Sequence, residues 1–316
     1  MKFIHQERYI KEVVIVLKWN NSLPMMKMII SMCIFGSIGF FSEHTGLPSM
    51  ELVFIRCICA TLFLGICWAA SGQYRREQWS KRELLQTIAC GVFLVGNWVF
   101  LFKSFEWMSI TIAISIYHLA PVIVVLVGSI LFKEKLTVWS ILSVGICFVG
   151  TFLVIGIEGG ASMDELFTSG VVWAFMAAVF YAMTTLLGKG VVQLSGYAIT
   201  IVQTSLGIVL LLPFVDMSSY GALTWSNWFA IVATGFIHTG FVYLLFFDSL
   251  RELPTRVISV LVFLDPAVAI LLDTWITGFR PTGMQIGGIV LIFAGMACAM
   301  IKPKAKARLS YDGTQH

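Results

Sequence analysis

Long apolar runs alternate with short polar ones along the whole chain. Setting each run against its flanking turn and charge signals gives ten candidate spans, at about 25–42, 49–70, 84–102, 108–132, 138–156, 169–188, 197–215, 227–247, 254–276 and 281–301. Each is close to the roughly 20 apolar residues that carry a helix across a bilayer. The fourth and ninth are longer, an excess that tilt absorbs. The pattern predicts an all-α polytopic membrane protein with ten transmembrane helices.

The pattern also repeats. Shifted by 145 residues, the chain aligns with itself without a gap from about Phe93 to Gly150: Phe102 meets Phe247, Ser104 meets Ser249, Leu119 meets Leu264, Pro121 meets Pro266 and Gly150 meets Gly295. Five helices followed by five divide the sequence into a first repeat at 25–156 and a second at 169–301. A flank at 1–24, a loop at 157–168 and a tail at 302–316 complete it. Because five is odd, the second copy must enter the membrane from the opposite side, which makes the halves inverted repeats.

Composition sharpens the reading. Of 316 residues, 58% are apolar or aromatic and 12% are charged, about half the roughly 25% of a soluble domain. A water-soluble fold is excluded. The net charge of +4 is too weak and dispersed to suggest nucleic acid as a partner. Position is more informative than sum, because Lys and Arg are retained on the cytoplasmic side. With both termini inside, only Lys103 and Arg280 fall in outer segments and Arg56 lies within the second span, while the 157–168 loop is acidic. Residues 1–24 read as a basic flank rather than a cleaved leader. The seven cysteines all lie in apolar runs without metal-ligand spacing, so neither a disulfide framework nor a metal is expected.

Six of the eight prolines lie at or near span ends; Pro121 and Pro266 fall near mid-span and are the pair related by the repeat. Each removes a helical hydrogen bond and frees the carbonyl four residues earlier, at Tyr117 and Val262. Freed carbonyls at that depth require a protein interior or a wet cavity. His118 and Asp265 adjoin these breaks. A carboxylate at a helix centre costs about 2.5–3.5 kcal/mol on insertion scales, and imidazole exchanges protons near neutrality. Both are therefore candidate substrate-binding and coupling groups; the structural alternative is a neutral carboxyl and a satisfied core histidine.

Arg56 is expected to pair with Glu51 or Glu43, or to snorkel, with carboxylate binding as the sharper alternative. His238 ranks lower because no helix break adjoins it. Trp68, Trp107, Trp139, Trp225, Trp228 and Trp275 lie at span ends and read as interfacial anchors. Trp98, Tyr117, Tyr181 and Tyr243 lie within spans and suit a cavity that takes amphipathic solutes, although core packing explains any one of them equally well. Gly36, Gly39, Gly287 and Gly288 read as close-approach positions. The chain has no HExxH, GxSxG, Walker A or dinucleotide fingerprint, so an enzyme and a cofactor are not expected.

Tyr117-His118-Leu119-Ala120-Pro121, then Lys133-Glu134-Lys135-Leu136-Thr137 and a glycine-bearing closing helix resemble the drug/metabolite transporter (DMT) superfamily, EamA-like branch. The second half repeats the signature as Leu264-Asp265-Pro266 and Gly287-Gly288 to Gly295, departing at Phe279, where the family usually has Glu. The resemblance implies a secondary carrier of the bacterial cytoplasmic membrane with a central cavity between its halves. The residues and the resemblance together predict alternating-access export of a small metabolite, an amino acid or related compound. A non-transporting receptor or assembly factor is the alternative, with a lipid-directed enzyme a weaker one. Proton coupling, the direction of transport and pairing as a homodimer stay open at this level.

Overall fold

The computed structural model describes residues 22–131, 138–155, 170–188, 190–191, 193–253, 261 and 264–300. All regular structure among these residues is helical, in ten rods and three short 3-10 segments at Gln73–Arg76, Leu212–Phe214 and Met217–Tyr220. α1 comprises Ser22–Gly36 and Ile38–Glu43, α2 is Ser49–Ala70, and α3 is Lys81–Phe105. α4 comprises Ile110–Tyr117 and Ala120–Leu131, and α5 is Val138–Ile155. α6 is Val171–Gly188 and α7 is Gly196–Leu211. α8 joins Trp225–Val232, a π-helical stretch at Ala233–Phe241, and Val242–Glu252. α9 comprises Leu264–Leu272 with a π turn at Asp273–Thr277, and α10 is Gly283–Met300. Seven rods, α1 to α4 and α6 to α8, are long and apolar enough to cross a membrane; α5 and α10 carry shorter apolar stretches.

Local sequence sets the starts of these helices. The side chains of Ser80, Ser109 and Ser195 each accept a hydrogen bond from the amide three residues on, and Thr224 forms a reciprocal capping box with Asn227. Such caps meet amides that the helix itself cannot satisfy. The Ser80 cap starts α3 in charged sequence, three residues before the apolar run. α9 ends where Gly278 adopts a left-handed φ of 80°, a conformation glycine reaches without steric cost.

A second set of contacts ties helix starts to distant carboxylates. Glu106 Oε1 accepts from the Ser49 amide at 2.9 Å and Asp273 Oδ2 from the Thr111 amide at 2.7 Å, at the starts of α2 and α4. At the opposite rim, Glu83 accepts from the Gln193 and Leu194 amides and Glu77 from the Ser195 amide, just before α7. Anions at helix N-termini satisfy orphan donors and complement the dipole. α2 and α7, which occupy matching places in the two repeats, are thus fastened in the same way at opposite rims.

The packing has two-fold character. α1 packs on α8 as α6 packs on α3, α2 on α8 as α7 on α3, and α1 on α9 as α6 on α4, while α2 with α7 and α5 with α10 pair across the exchange. The second repeat runs in the opposite sense. Met28 meets Ser249 at one end of α1 and the His44 carbonyl accepts from Asn227 beyond the other, so α1 and α8 are antiparallel. α5 and α10 are antiparallel as well: a Cβ at Gly150 would lie 2.7 Å from the Gly288 carbonyl oxygen, and one at Gly295 would lie 3.0 Å from that of Ser143. Backbones this close need small residues, the usual device for helix pairs in lipid. Gly288 serves that contact, whereas Gly287 faces open space.

Trp225 and Trp275, 91% and 80% exposed near helix ends, occupy the places expected of interfacial anchors. Trp68 does more, donating its indole N–H to Glu77 Oε1 at 3.0 Å. Phe148, Val290, Ile66 and Val209 are exposed within their helices and give the bundle an apolar exterior.

Candidate functional site

Proline at 121 divides α4. The first half ends at Tyr117, residues 118–119 form a turn, and the second half starts at Ala120. His118 sits in this turn with Nδ1 2.8 Å from the Ile114 carbonyl oxygen. A carbonyl only accepts, so Nδ1 carries hydrogen and Nε2 is left able to take a proton. Nε2 lies 3.9 Å from Asp265 Oδ2. Asp265 and Pro266 lie in the first turn of the described part of α9. The break expected at Val262 lies outside the described residues. Across the gap, α1 presses on this point: a Cβ at Gly36 would stand 2.3 Å from the Asp265 carbonyl oxygen. Gly36 thereby allows α1 to approach the α9 backbone closely at Asp265.

The aromatic candidates converge here. The Tyr117 ring lies 5.5 Å from His118 and 5.4 Å from Tyr181 on α6. Asp265 acts electrostatically on both Tyr117 and Tyr181, and Tyr181 on Tyr243. The Tyr117 hydroxyl reaches Asn97 Oδ1 at 3.5 Å, while Asn97 Nδ2 donates to the Ala177 carbonyl at 2.7 Å. Tyr243 packs edge-on against Phe35 at 5.5 Å. His118 is buried, Tyr117 and Tyr243 are half-buried, Tyr181 is 40% exposed and the Asp265 side chain 22%.

Arg56 departs from expectation. It pairs with neither Glu51, whose carboxylate accepts from the Asp216 amide at 3.1 Å, nor Glu43, which lines a cavity of about 220 Å³ near the C-terminal end of α1 with Leu52, Phe102 and Glu106. Instead the guanidinium lies over Trp98 at 4.5 Å and Phe102 at 5.2 Å, and its Nε donates to the Thr239 hydroxyl. Trp98 therefore joins the cluster beneath a cation. Tyr117 and Tyr243 interact electrostatically with the same guanidinium, which links it to the side chains around Asp265.

His238 also needs correction, because a helix irregularity does adjoin it. It lies in the π stretch, whose wider turn lets Nδ1 approach the Ala233 carbonyl five residues back, while Nε2 meets the Ser37 hydroxyl at 2.9 Å. The next residue, Thr239, is the partner of Arg56. π-helical turns are rare and are often found at functional sites. The buried Asn97 and the Thr239 partner had no sequence signal of their own: both are unremarkable polar residues in apolar runs. Outside the spans, burial and then Glu51 hold the Tyr220 phenol above its ordinary range, and its hydroxyl donates to the Glu51 carbonyl at 2.8 Å. Among the described residues no group of three His, Cys, Asp or Glu gathers as a metal site.

Known proteins resemble this chain in fold or in sequence. A crystal structure of a protein matches the fold with a TM-score of 0.62 over 89% of this chain and 99% of its own, at 18% identity. The threonine/homoserine exporter RhtA of Salmonella typhimurium (strain SL1344) is 24% identical over 220 residues, 69% of this chain and 72% of RhtA. A Bacillus subtilis (strain 168) protein described as an uncharacterized transporter, YxxF, is 61% identical over 295 residues, 93% of this chain and 95% of that one. The family model of EamA-like transporters matches twice, at residues 23–156 and 168–301. A polytopic helical bundle made of two such units belongs to the EamA-like transporter family.

Proposed function

We propose that the protein exports a small amphipathic metabolite, an amino acid or related compound, across the bacterial cytoplasmic membrane by alternating access, with both termini cytoplasmic. The observation that carries the reading is the Asp265 carboxyl, incompletely buried and 3.9 Å from His118 Nε2 at the meeting of α4 and α9. One repeat rocking against the other would present this point to each side in turn. The name of RhtA, an exporter of threonine and homoserine, supports an amino acid as the class of solute.

Asp265 and His118 bind the solute or exchange a proton. Tyr117 and Tyr181 are the other titratable groups that interact with the carboxyl, and Trp98 and Tyr243 complete the lining. A carboxylate that holds either a proton or an ammonium group gives exchange of one for the other. Purified protein in liposomes should show saturable counterflow that responds to an imposed pH gradient. Flux that never saturates across millimolar concentrations points to a channel, and absence of flux for every metabolite offered points to a receptor or assembly role.

A further inference from the structure

Arg56 is 1% exposed, and its Nη1 meets no hydrogen-bond partner among the described residues. The described ion pairs, Lys103 with Glu106 and His118 with Asp265, leave it without a carboxylate. A buried cation with an open donor is expensive to keep unless something completes it. Trp98 and Phe102 cover its face and Thr239 takes Nε, so the guanidinium fork is oriented while its Nη1 donors stay open. That fork matches the two oxygens of a carboxylate. Tyr117 interacts electrostatically with both Arg56 and Asp265, so one phenol lies within electrostatic reach of the cation and of the anion.

Building on the transport reading, we propose that Arg56 receives the carboxylate of the transported solute while Asp265 holds its ammonium group, so that the site selects zwitterions. The Arg56 tip is sealed in the described conformation, and a solute reaches it through the rearrangement of the bundle that alternating access requires. The paired charges also explain how a charged solute crosses an apolar bundle: each of its ends exchanges water for an opposite charge.

The test is counterflow in proteoliposomes loaded with the standard α-amino acids, the amines their decarboxylation gives, and the corresponding hydroxy acids, read by mass spectrometry. Wild type should move one or more amino acids and discriminate against their single-charge analogues by about a hundredfold or more. Arg56→Gln should lose that discrimination against amines, amino-acid flux falling about a hundredfold while amine flux holds or rises. If Arg56→Gln fails to fold, Arg56→Lys decides: it should still exclude amines but show a raised apparent KM. Wild type moving amines as readily as amino acids, Arg56→Gln keeping the full preference, or Arg56→Lys leaving KM unchanged would overturn the inference. Flux of none of these solutes, with counterflow of another metabolite, sinks this assignment and leaves transport standing; flux of nothing at all sinks both.

Discussion

At the rims, Glu77, Glu83, Glu106 and Asp273 each accept hydrogen bonds from backbone amides at or just before the start of another helix. At the centre, Asp265 has His118 at 3.9 Å and Arg56 leaves Nη1 unmet among the described residues. The same residue types serve two ends. Rim carboxylates are saturated by the fold and hold helices in register. On the proposed transport reading, the central pair is held open so that a solute or a proton completes it. Saturation thus separates structural charge from working charge, where burial does not: Glu83 is 5% exposed and Arg56 is 1%.

The sharpest way to break this contrast is Asp265→Asn, which keeps shape and removes charge. Counterflow should fall about a hundredfold or more while yield and melting temperature stay near wild type. Intact flux would make Asp265 structural and erase the distinction. Gly36→Ala comes next, because the added methyl meets the Asp265 carbonyl. It should cost about 1–3 kcal/mol in thermal unfolding and lower flux with it, whereas Gly287→Ala should be silent in both assays.

Glu83→Gln is the rim counterpart. It should lower stability by about 1–3 kcal/mol and leave apparent KM unchanged; a KM effect as large as that of Asp265→Asn would show that rim and centre are not separate. Thr224→Ala removes a helix cap and should cost about 1 kcal/mol, with transport kinetics untouched. Tyr181→Phe is the mildest, raising apparent KM by about threefold to tenfold through one lost hydroxyl.

Much of the architecture was legible because hydropathy and helix length are local properties. The second span, read at 49–70, coincides with α2 at Ser49–Ala70, and the proline at 121 marked the division of α4. Local capping chemistry hid the true edges of the third span, since Ser80 and Glu83 extend α3 into charged sequence. The site was half legible. His118 and Asp265 stood out as ionisable residues beside repeat-related prolines. Arg56 was visible, but its real neighbours Trp98, Phe102 and Thr239 lie on other helices, and pairing it with nearby Glu51 reflected proximity in sequence. The π stretch at Ala233–Phe241 has no signature in its residues, so the role of Thr239 could not be read before the helix was seen.

The close-packed glycines between α5 and α10 have a mechanical meaning. Exchange of the repeats maps this seam onto itself, so it sits on the axis about which the halves swap roles. Whatever tilts open on one side and shut on the other, points on such a line move least. In the proposed alternating-access cycle, the seam between the exchanged contacts Gly150–Gly288 and Ser143–Gly295 is suited to act as a fulcrum, keeping its neighbours while the ends of the helices swing past each other.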